Sequence, residues 1–501
     1  MPKHDIAAVS VLHHALVGAA EEMGEVLKRS AFSPNIKERQ DYSCALFDAR
    51  GRLIAQAAHL PVHLGSMPAS VHAVIDRVEF KRDGDFAIVN DPYNGGTHLP
   101  DITMVAPVYE GKALIGYAAN RAHHADIGGA APGSMSPQTE LMAEGLIIPP
   151  MLLTRETLAL VAANTRTPDE RRGDLKAQQA ACARGGQRLR EAKQHWGGGF
   201  DGLCDALVAH SRNLMRHSLK QLKPGVYRAA DFMDDDGAGT TNIRVAVTLT
   251  VKRGGKLTFD FTGSAPQVKG GVNAVAAVTA SACYYACLCL CDPVPPVNAG
   301  CFEDIRVIAP EGTIVNARRP AAVAGGNVET SQRIVDVCFA ALAKAGARVA
   351  AQSQGTMNNV TIGGVNAKSA TFTYYETIAG GCGGTDAQPG ASATHSHMTN
   401  TLNTPIEALE HAYPLRVEEY SIREGAKGGR GVVRRIRALV PCEFGLLTER
   451  RKRAPKGGEP GVNRVCRAKG QVETLPAKCS GKLDSGDSLE IITPNADGAE
   501  D

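Results

Sequence analysis

His98, Asp101, His123, His124 and Asp126, side chains able to bind a metal or move a proton, fall within one short span of the chain. They lie in two glycine-containing segments, NDPYNGGTHLPD (Asn90 to Asp101) and NRAHHADIGG (Asn120 to Gly129). Imidazole nitrogens and carboxylate oxygens converging on one point suit a divalent cation. His98 and Asp101 are three apart, which places both on one side of a helical turn or tight loop. Between the segments, ITMVAPVY (Ile102 to Tyr109) is apolar and β-branched and reads as a buried strand. A turn at Glu110, Gly111 and Lys112 leads into a second strand, ALIGYAA (Ala113 to Ala119). A hairpin returns the chain to its start, so His123 is predicted beside His98. The expected ligands are His98, Asp101 and His123, with His124 and Asp126 as substitutes or as groups that orient the ligands.

The elements that must position these residues are legible in part. Ile6, Val9, Leu12, Leu16, Ala19, Met23, Val26 and Leu27 repeat at mostly three- and four-residue steps and predict an amphipathic helix. RQDYSCALFD (Arg39 to Asp48) and LIAQA (Leu53 to Ala57) predict a hairpin. Asp41 stands at its mouth and is the candidate fourth ligand. His59 and His63 precede a helix predicted from Met67 to about Val78, and are read as structural or substrate-facing. Helices are expected to about Lys223, with a boundary near Pro224. Strands should dominate from Tyr227 to Ile308, interrupted by a buried helix at VTASACYYACLCLC (Val278 to Cys291), which is too short to cross a bilayer. Further on, GGNVETSQR (Gly325 to Arg333), GTMNN (Gly355 to Asn359), YYETIAGGCGG (Tyr374 to Gly384) and HSHMTNTLNTP (His395 to Pro405) read as glycine-rich or polar loops. The last offers His395, His397 and Asn400, with Asn403, as substrate-binding candidates. The expected fold is mixed α/β of the α+β kind in more than one domain: a helix-rich 1–223 carrying the metal hairpin, and a strand- and glycine-loop-rich 224–501.

Composition narrows the function. At 501 residues the chain is too long for one core, and 43% hydrophobic and 21% charged residues are globular values. A net charge of +3, 5% aromatic residues and the lack of a basic run interleaved with aromatics argue against nucleic acid. The basic tract TERRKRAPK (Thr448 to Lys456) is expected to be a solvated loop. Thirteen cysteines, an odd number with no C-x-x-C pair and no secretory signature, predict reduced thiols and a cytoplasmic protein without a membrane anchor. No segment has the G-x-x-x-x-G-K-[ST] pattern, and no G-x-S-x-G elbow occurs. Any ATP used in the reaction is therefore expected to bind on another chain.

The sequence resembles the B subunit of the hydantoinase/oxoprolinase family. The resemblance is carried by GDFAIVNDPYNGGTHLPDIT (Gly84 to Thr103), AHHADIGG (Ala122 to Gly129), PGSM (Pro132 to Met135) and EGLIIPP (Glu144 to Pro150). It continues through GNVETSQR (Gly326 to Arg333), GTMNN and YYETIAGG (Tyr374 to Gly381), and runs from about Asp5 to about Glu490. The chain departs from the family at its end, NADGAED, where a glycine-rich tail is usual. What the resemblance implies is ATP-dependent opening of a cyclic amide such as a hydantoin, 5-oxoproline or a larger lactam, with ATP bound by a separate hydantoinase A-type subunit. It also implies a divalent metal (zinc, or manganese or iron) on a His-x-x-Asp pair and a later His, which fall on His98, Asp101 and His123, with Asp41 the position to try as fourth. In the mechanism this suggests, the partner phosphorylates the amide oxygen. The metal then supplies hydroxide or stabilises the oxyanion, and His124 or Asp126 acts as general base. Two other readings stand beside it. One is a subunit of a ketone carboxylase of the acetone or acetophenone type; the other is a non-catalytic scaffold whose metal is structural and held by four protein ligands.

Overall fold

The computed structural model describes residues 6–57, 60–425, 428–496 and 498, so His59 lies outside the described residues. The first helix, Ile6–Ser30, buries Leu12, Leu16, Met23 and Leu27, the apolar stripe its spacing predicts. The first hairpin forms as β1 (Tyr42–Asp48) and β2 (Leu53–Gln56). With β3 (Ala87–Val89), β4 (Asp101–Glu110), β5 (Ala113–His123) and β6 (Met151–Leu152) it builds a six-stranded antiparallel sheet of order β2-β1-β5-β4-β3-β6.

Period-two alternation divides this sheet between two covers. Cys44, Leu46, Ala118 and Ala122 pack under helices Ile6–Ser30, Pro168–Trp196 and Phe200–Leu219. Ala45, Phe47, Tyr117 and Ala119 pack on the opposite face, against Met67, Val71 and Val74 of helix His63–Ile75. That helix begins a turn earlier than its sequence predicts, which brings His63 into the fold's interior.

Beyond Leu219 the helical stretch ends and β7 begins at Gly225. β7 (Gly225–Asp235), β8 (Thr241–Lys252), β9 (Lys256–Asp260) and β10 (Ile305–Ile308) form one four-stranded sheet; β11 (Asn359–Val365), β12 (Thr371–Thr377), β15 (Cys442–Leu447) and β18 (Lys478–Leu483) form a second. A five-stranded sheet joins β13 (Leu415–Ile422), β14 (Val432–Ala438), β16 (Val462–Cys466), β17 (Val472–Leu475) and β19 (Ser488–Ile492). The cysteine-rich apolar run forms a largely buried helix, Ala276–Leu288. One apolar core contains residues from both sides of Pro224, among them Leu175, Leu219, Phe259 and Val335.

Three segments differ from their sequence reading. GNVETSQR is regular structure rather than loop: Gly326–Thr330 is a π-turn that runs into helix Ser331–Lys344. Only glycine fits at its start, because a Cβ on Gly326 would stand 1.8 Å from the carbonyl oxygen of Asn273. Tyr374 to Thr377 are the end of β12. The basic tract is not solvated at its head, for Glu449 and Arg450 are buried. Arg450 Nη2 reaches Asp231 Oδ2 at 2.8 Å and Asp336 Oδ2 at 2.9 Å, and Lys478 Nζ reaches Glu449 Oε1 at 2.6 Å. The acids that neutralise the tract lie more than a hundred residues upstream, so the local sequence reads as an unpaired charge run.

All thirteen cysteines are free thiols. Among the described residues no helix is long and apolar enough to cross a membrane.

Candidate metal centre

The β4–β5 hairpin performs the return its sequence predicts, with one refinement that decides the site. Next to the turn, Glu110 pairs with Ala113 and Tyr109 with Leu114; a bulge between Val108 and Tyr109 then shifts the register by one residue. Without that shift Asp101 would face Ala122. With it, Asp101 stands directly opposite His123. The loop before β4 brings His98 to the same point, with Gly95 at φ +86° completing the turn. On the far side, β1 pairs with β5 so that His123 N donates to Asp41 O at 3.0 Å.

His98, Asp101 and His123 each offer a ligand atom, and the three atoms lie within 4.8 Å of one another in a fully buried cluster. Asp101 Oδ1 is 3.0 Å from His98 Nε2 and 3.2 Å from His123 Nδ1. Its other oxygen accepts from Thr97 Oγ1 at 2.6 Å and meets His63 Nε2 at 3.4 Å, while His63 Nδ1 contacts Ser43 Oγ at 2.7 Å. Burial opposes ionisation of Asp101, but the adjacent His98 and the hydrogen bonds from His123, His63 and His98 hold its carboxyl well below the usual range. Burial lowers His123 and His63, which favours their neutral imidazoles, and His123 Nε2 has no hydrogen-bond partner. Tyr375 stacks on His123 with ring centres 4.4 Å apart.

These residues fit a cation better than they fit each other. His98 Nε2 lies 3.0 Å from a carboxylate oxygen, which only accepts, and 3.2 Å from Asn327 Nδ2, which only donates. A single imidazole nitrogen cannot satisfy both. His98 Nδ1, His123 Nε2 and Asn327 Oδ1 are also buried without a hydrogen-bond partner. A cation resolves the conflict by taking the lone pairs of His98 and Asp101 together. The small cavity they line, about 20 Å³, has room for one water-sized group. Asp41, the candidate fourth ligand, lines this cavity but lies outside the three-atom cluster.

Neither residue expected as general base joins the site. His124 follows His123 and so points to the opposite face, where its Nε2 meets Gln178 Oε1 at 3.0 Å; burial and Arg171 depress it to about 4. Asp126 is occupied: Oδ1 accepts from the backbone N–H groups of Gly128 and Arg166, and Oδ2 from Gly133 N and the Arg166 guanidinium. It organises its loop through these four hydrogen bonds.

His395 and His397 line a separate, larger cleft of about 700 Å³, together with Asn400, Arg348 and Tyr285. Thr399 borders both this cleft and the small cavity. His395 Nδ1, Ser396 Oγ and His397 Nε2 are buried without a hydrogen-bond partner. Burial, reinforced by Arg39, lowers His395 to about 3; burial and Arg333 lower His397 to about 4. His397 also holds φ +55°, a strained left-handed conformation.

Sequence reasoning did not place Asn327, Tyr375, Met357 or Thr399 on this site. Their stretches stand out in the sequence, but nothing local says that they close over residues more than two hundred positions earlier. Behind them, Glu329 Oε1 accepts from Asn359 Nδ2 at 2.8 Å, and Asn359 Oδ1 accepts from the Tyr375 hydroxyl at 2.9 Å. Burial raises Glu329 to about 8, so it is protonated at neutral pH. Its ordinary value is 4.5. Its contribution to stability is therefore complete below pH 4.5 and is lost as pH rises through 8. Glu329→Gln should remove a slope of up to ~1.4 kcal/mol per pH unit across that window. Urea midpoints of both proteins at several pH values measure it, and parallel pH profiles would refute the assignment.

The multi-sheet α/β scaffold that carries this buried cluster and the larger cleft is shared with known proteins. The chain belongs to the Hydantoinase B/oxoprolinase family, whose model matches residues 5–499. It is 40% identical to an uncharacterised protein of Methanocaldococcus jannaschii over 99% of this chain and 90% of that one. It is 35% identical to 5-oxoprolinase 1 of Arabidopsis thaliana over 99% of this chain, and spans only 42% of that relative's length. The B subunit of a putative D-/L-hydantoinase of Pseudomonas sp. (strain NS671) is 29% identical, over 99% of this chain and 90% of the relative. Among solved structures, the ATP-dependent caprolactamase from Pseudomonas jessenii matches with TM-score 0.91 and 25% identity, over 99% of this chain and 91% of that one. Acetone carboxylase has the same fold, with TM-score 0.90 and 19% identity over 99% of this chain and 76% of that one.

Proposed function

We propose that this chain is the metal-dependent subunit of an ATP-dependent cyclic amide hydrolase, opening a hydantoin, 5-oxoproline or lactam ring while a hydantoinase A-type partner binds ATP. The observation that carries this reading is the buried His98–Asp101–His123 cluster beside a cleft of about 700 Å³, a volume typical of small-molecule sites. Three convergent ligands leave room for an exchangeable group, whereas a structural zinc site is closed by four. The names of the relatives support cyclic amides as the substrate class. The chain has no phosphate loop of its own, which fits a partner that handles ATP.

The residues divide the work. Asp101 holds three imidazoles around one carboxylate, and Thr97 with the His63–Ser43 pair fixes that carboxylate. Tyr375 keeps the His123 ring in plane by stacking. A bound divalent cation (zinc, or manganese or iron) would supply Lewis acidity to the amide oxygen and to an attacking water. His395 and His397, uncharged at working pH, together with Asn400 would read the substrate through hydrogen bonds rather than charge. His124 and Asp126 carry no catalytic role in this scheme.

The test is ring opening by the chain purified with its A-type partner, scored as ring-opened product and ADP across hydantoin, 5-oxoproline and lactams. Turnover should require ATP and a divalent cation and disappear in His98→Ala. Turnover by the metal-free His98→Ala complex would refute the reading. The acetone carboxylase fold supports one other activity, carboxylation of a ketone, and ATP consumption that depends on bicarbonate would point there.

A further inference from the structure

We infer that Asn327 is a positioning residue of the metal centre: its side-chain amide donates to the oxygen or anion that shares the cation with His98, Asp101 and His123, and is not itself a ligand. The inference rests on the metal reading above and adds a role for a residue two hundred positions from the ligands. Asn327 sits in the π-turn Gly326–Thr330, a helix insertion of a kind that recurs at functional sites. The turn is pinned on both sides. Gly326 packs against the Asn273 carbonyl, and Ser331 Oγ donates to the Asn327 carbonyl at 2.6 Å. The side chain is therefore delivered to the ligand cluster by rigid backbone.

Its surroundings define what it does there. Asn327 is only 4% exposed and lines the small cavity with His98, Asp101 and His123. As oriented, the amide turns its donor toward the cluster, with Nδ2 3.2 Å from His98 Nε2. An amide nitrogen has no lone pair to give a cation, so this orientation is that of a donor rather than a ligand. Once His98 Nε2 gives its lone pair to a cation, Asn327 N–H loses its acceptor. The acceptor left to it on that side is the oxygen or anion that completes the cation's coordination shell. Met357 and Met398 also line this cavity, and an apolar wall strengthens a hydrogen bond made beside it.

The full-length chain loaded with Co(II) tests this without substrate or partner. The visible d–d absorption reports the metal, and azide titrated into it fills the exchangeable position. In Asn327→Ala, Co(II) affinity and the azide-free spectrum should match wild type, while azide should bind roughly tenfold more weakly, the loss of one charge-assisted hydrogen bond. Asn327→Ser, which keeps a donor, should recover part of that affinity. Unchanged azide affinity in Asn327→Ala overturns the inference. So does a fall in Co(II) affinity with an altered azide-free spectrum, which would make Asn327 a ligand. A wild-type chain that takes up no Co(II) would overturn the metal reading itself and this inference with it.

Discussion

With Asp101 replaced by asparagine, the chain is expected to fold but to lose its hold on a divalent cation. The loss should go well beyond the ~10–100-fold that removing an outer partner of a metal site costs. Asp101 is the only carboxylate in the three-residue cluster, and its two oxygens gather His98, His123, His63 and Thr97. Asparagine preserves the shape and one acceptor oxygen, so Thr97 keeps a partner. What disappears is the anion that offsets the cation's charge. ATP-coupled turnover should vanish with the metal, while circular dichroism and urea midpoint stay near wild type. Competition with a chromophoric chelator measures the affinity. Wild-type affinity in Asp101→Asn would show that this carboxylate is not a ligand.

The second large effect concerns stability. Arg333 is fully buried; it pairs with Asp336 on its own helix and with Asp231 of β7 at 3.1 Å, and lies 3.8 Å from Glu449. Arg450 shares Asp231 and Asp336. This network ties β7, helix Ser331–Lys344 and the segment after β15 together through buried charge. Arg333→Ala leaves buried carboxylates short of a counter-charge, a defect that costs about 3–5 kcal/mol. The cleft should suffer too, because His397 Nε2 stands 3.9 Å from Asp336 Oδ1. Urea unfolding measures the loss. A change under about 1 kcal/mol would mean that Arg450 alone neutralises the network.

How much of this was legible in the sequence depends on whether the signal is local. The β4–β5 hairpin announces itself through two apolar β-branched runs and a Gly-Lys turn, and the return of His123 to His98 and Asp101 follows from it. The choice between His123 and His124 does not. Adjacent strand residues face opposite ways, so only one can join Asp101, and a bulge between Val108 and Tyr109 decides which. Nothing in the run ITMVAPVYEGKALIGYAA marks that bulge. Asp126 illustrates a second limit: a carboxylate among glycines reads as a ligand or base, but here those glycines donate their N–H groups to it. The basic tract at 448–456 and the stretches holding Asn327 and Tyr375 share a third. The acids that pair with Arg450 and the site residues that meet Asn327 and Tyr375 are more than a hundred residues away, and periodicity carries no information over that distance. Burial of Arg450 and the stacking of Tyr375 on His123 belong to the tertiary fold alone.

The central claim is that His98, Asp101 and His123 hold a catalytic cation. Elemental analysis of the purified full-length chain, beside His98→Ala, tests it most directly. About one equivalent of a transition metal in the wild type, absent from a folded His98→Ala chain, is the predicted result. No metal in the wild type after reconstitution with zinc, manganese or iron, or the same metal content in both proteins, would contradict it.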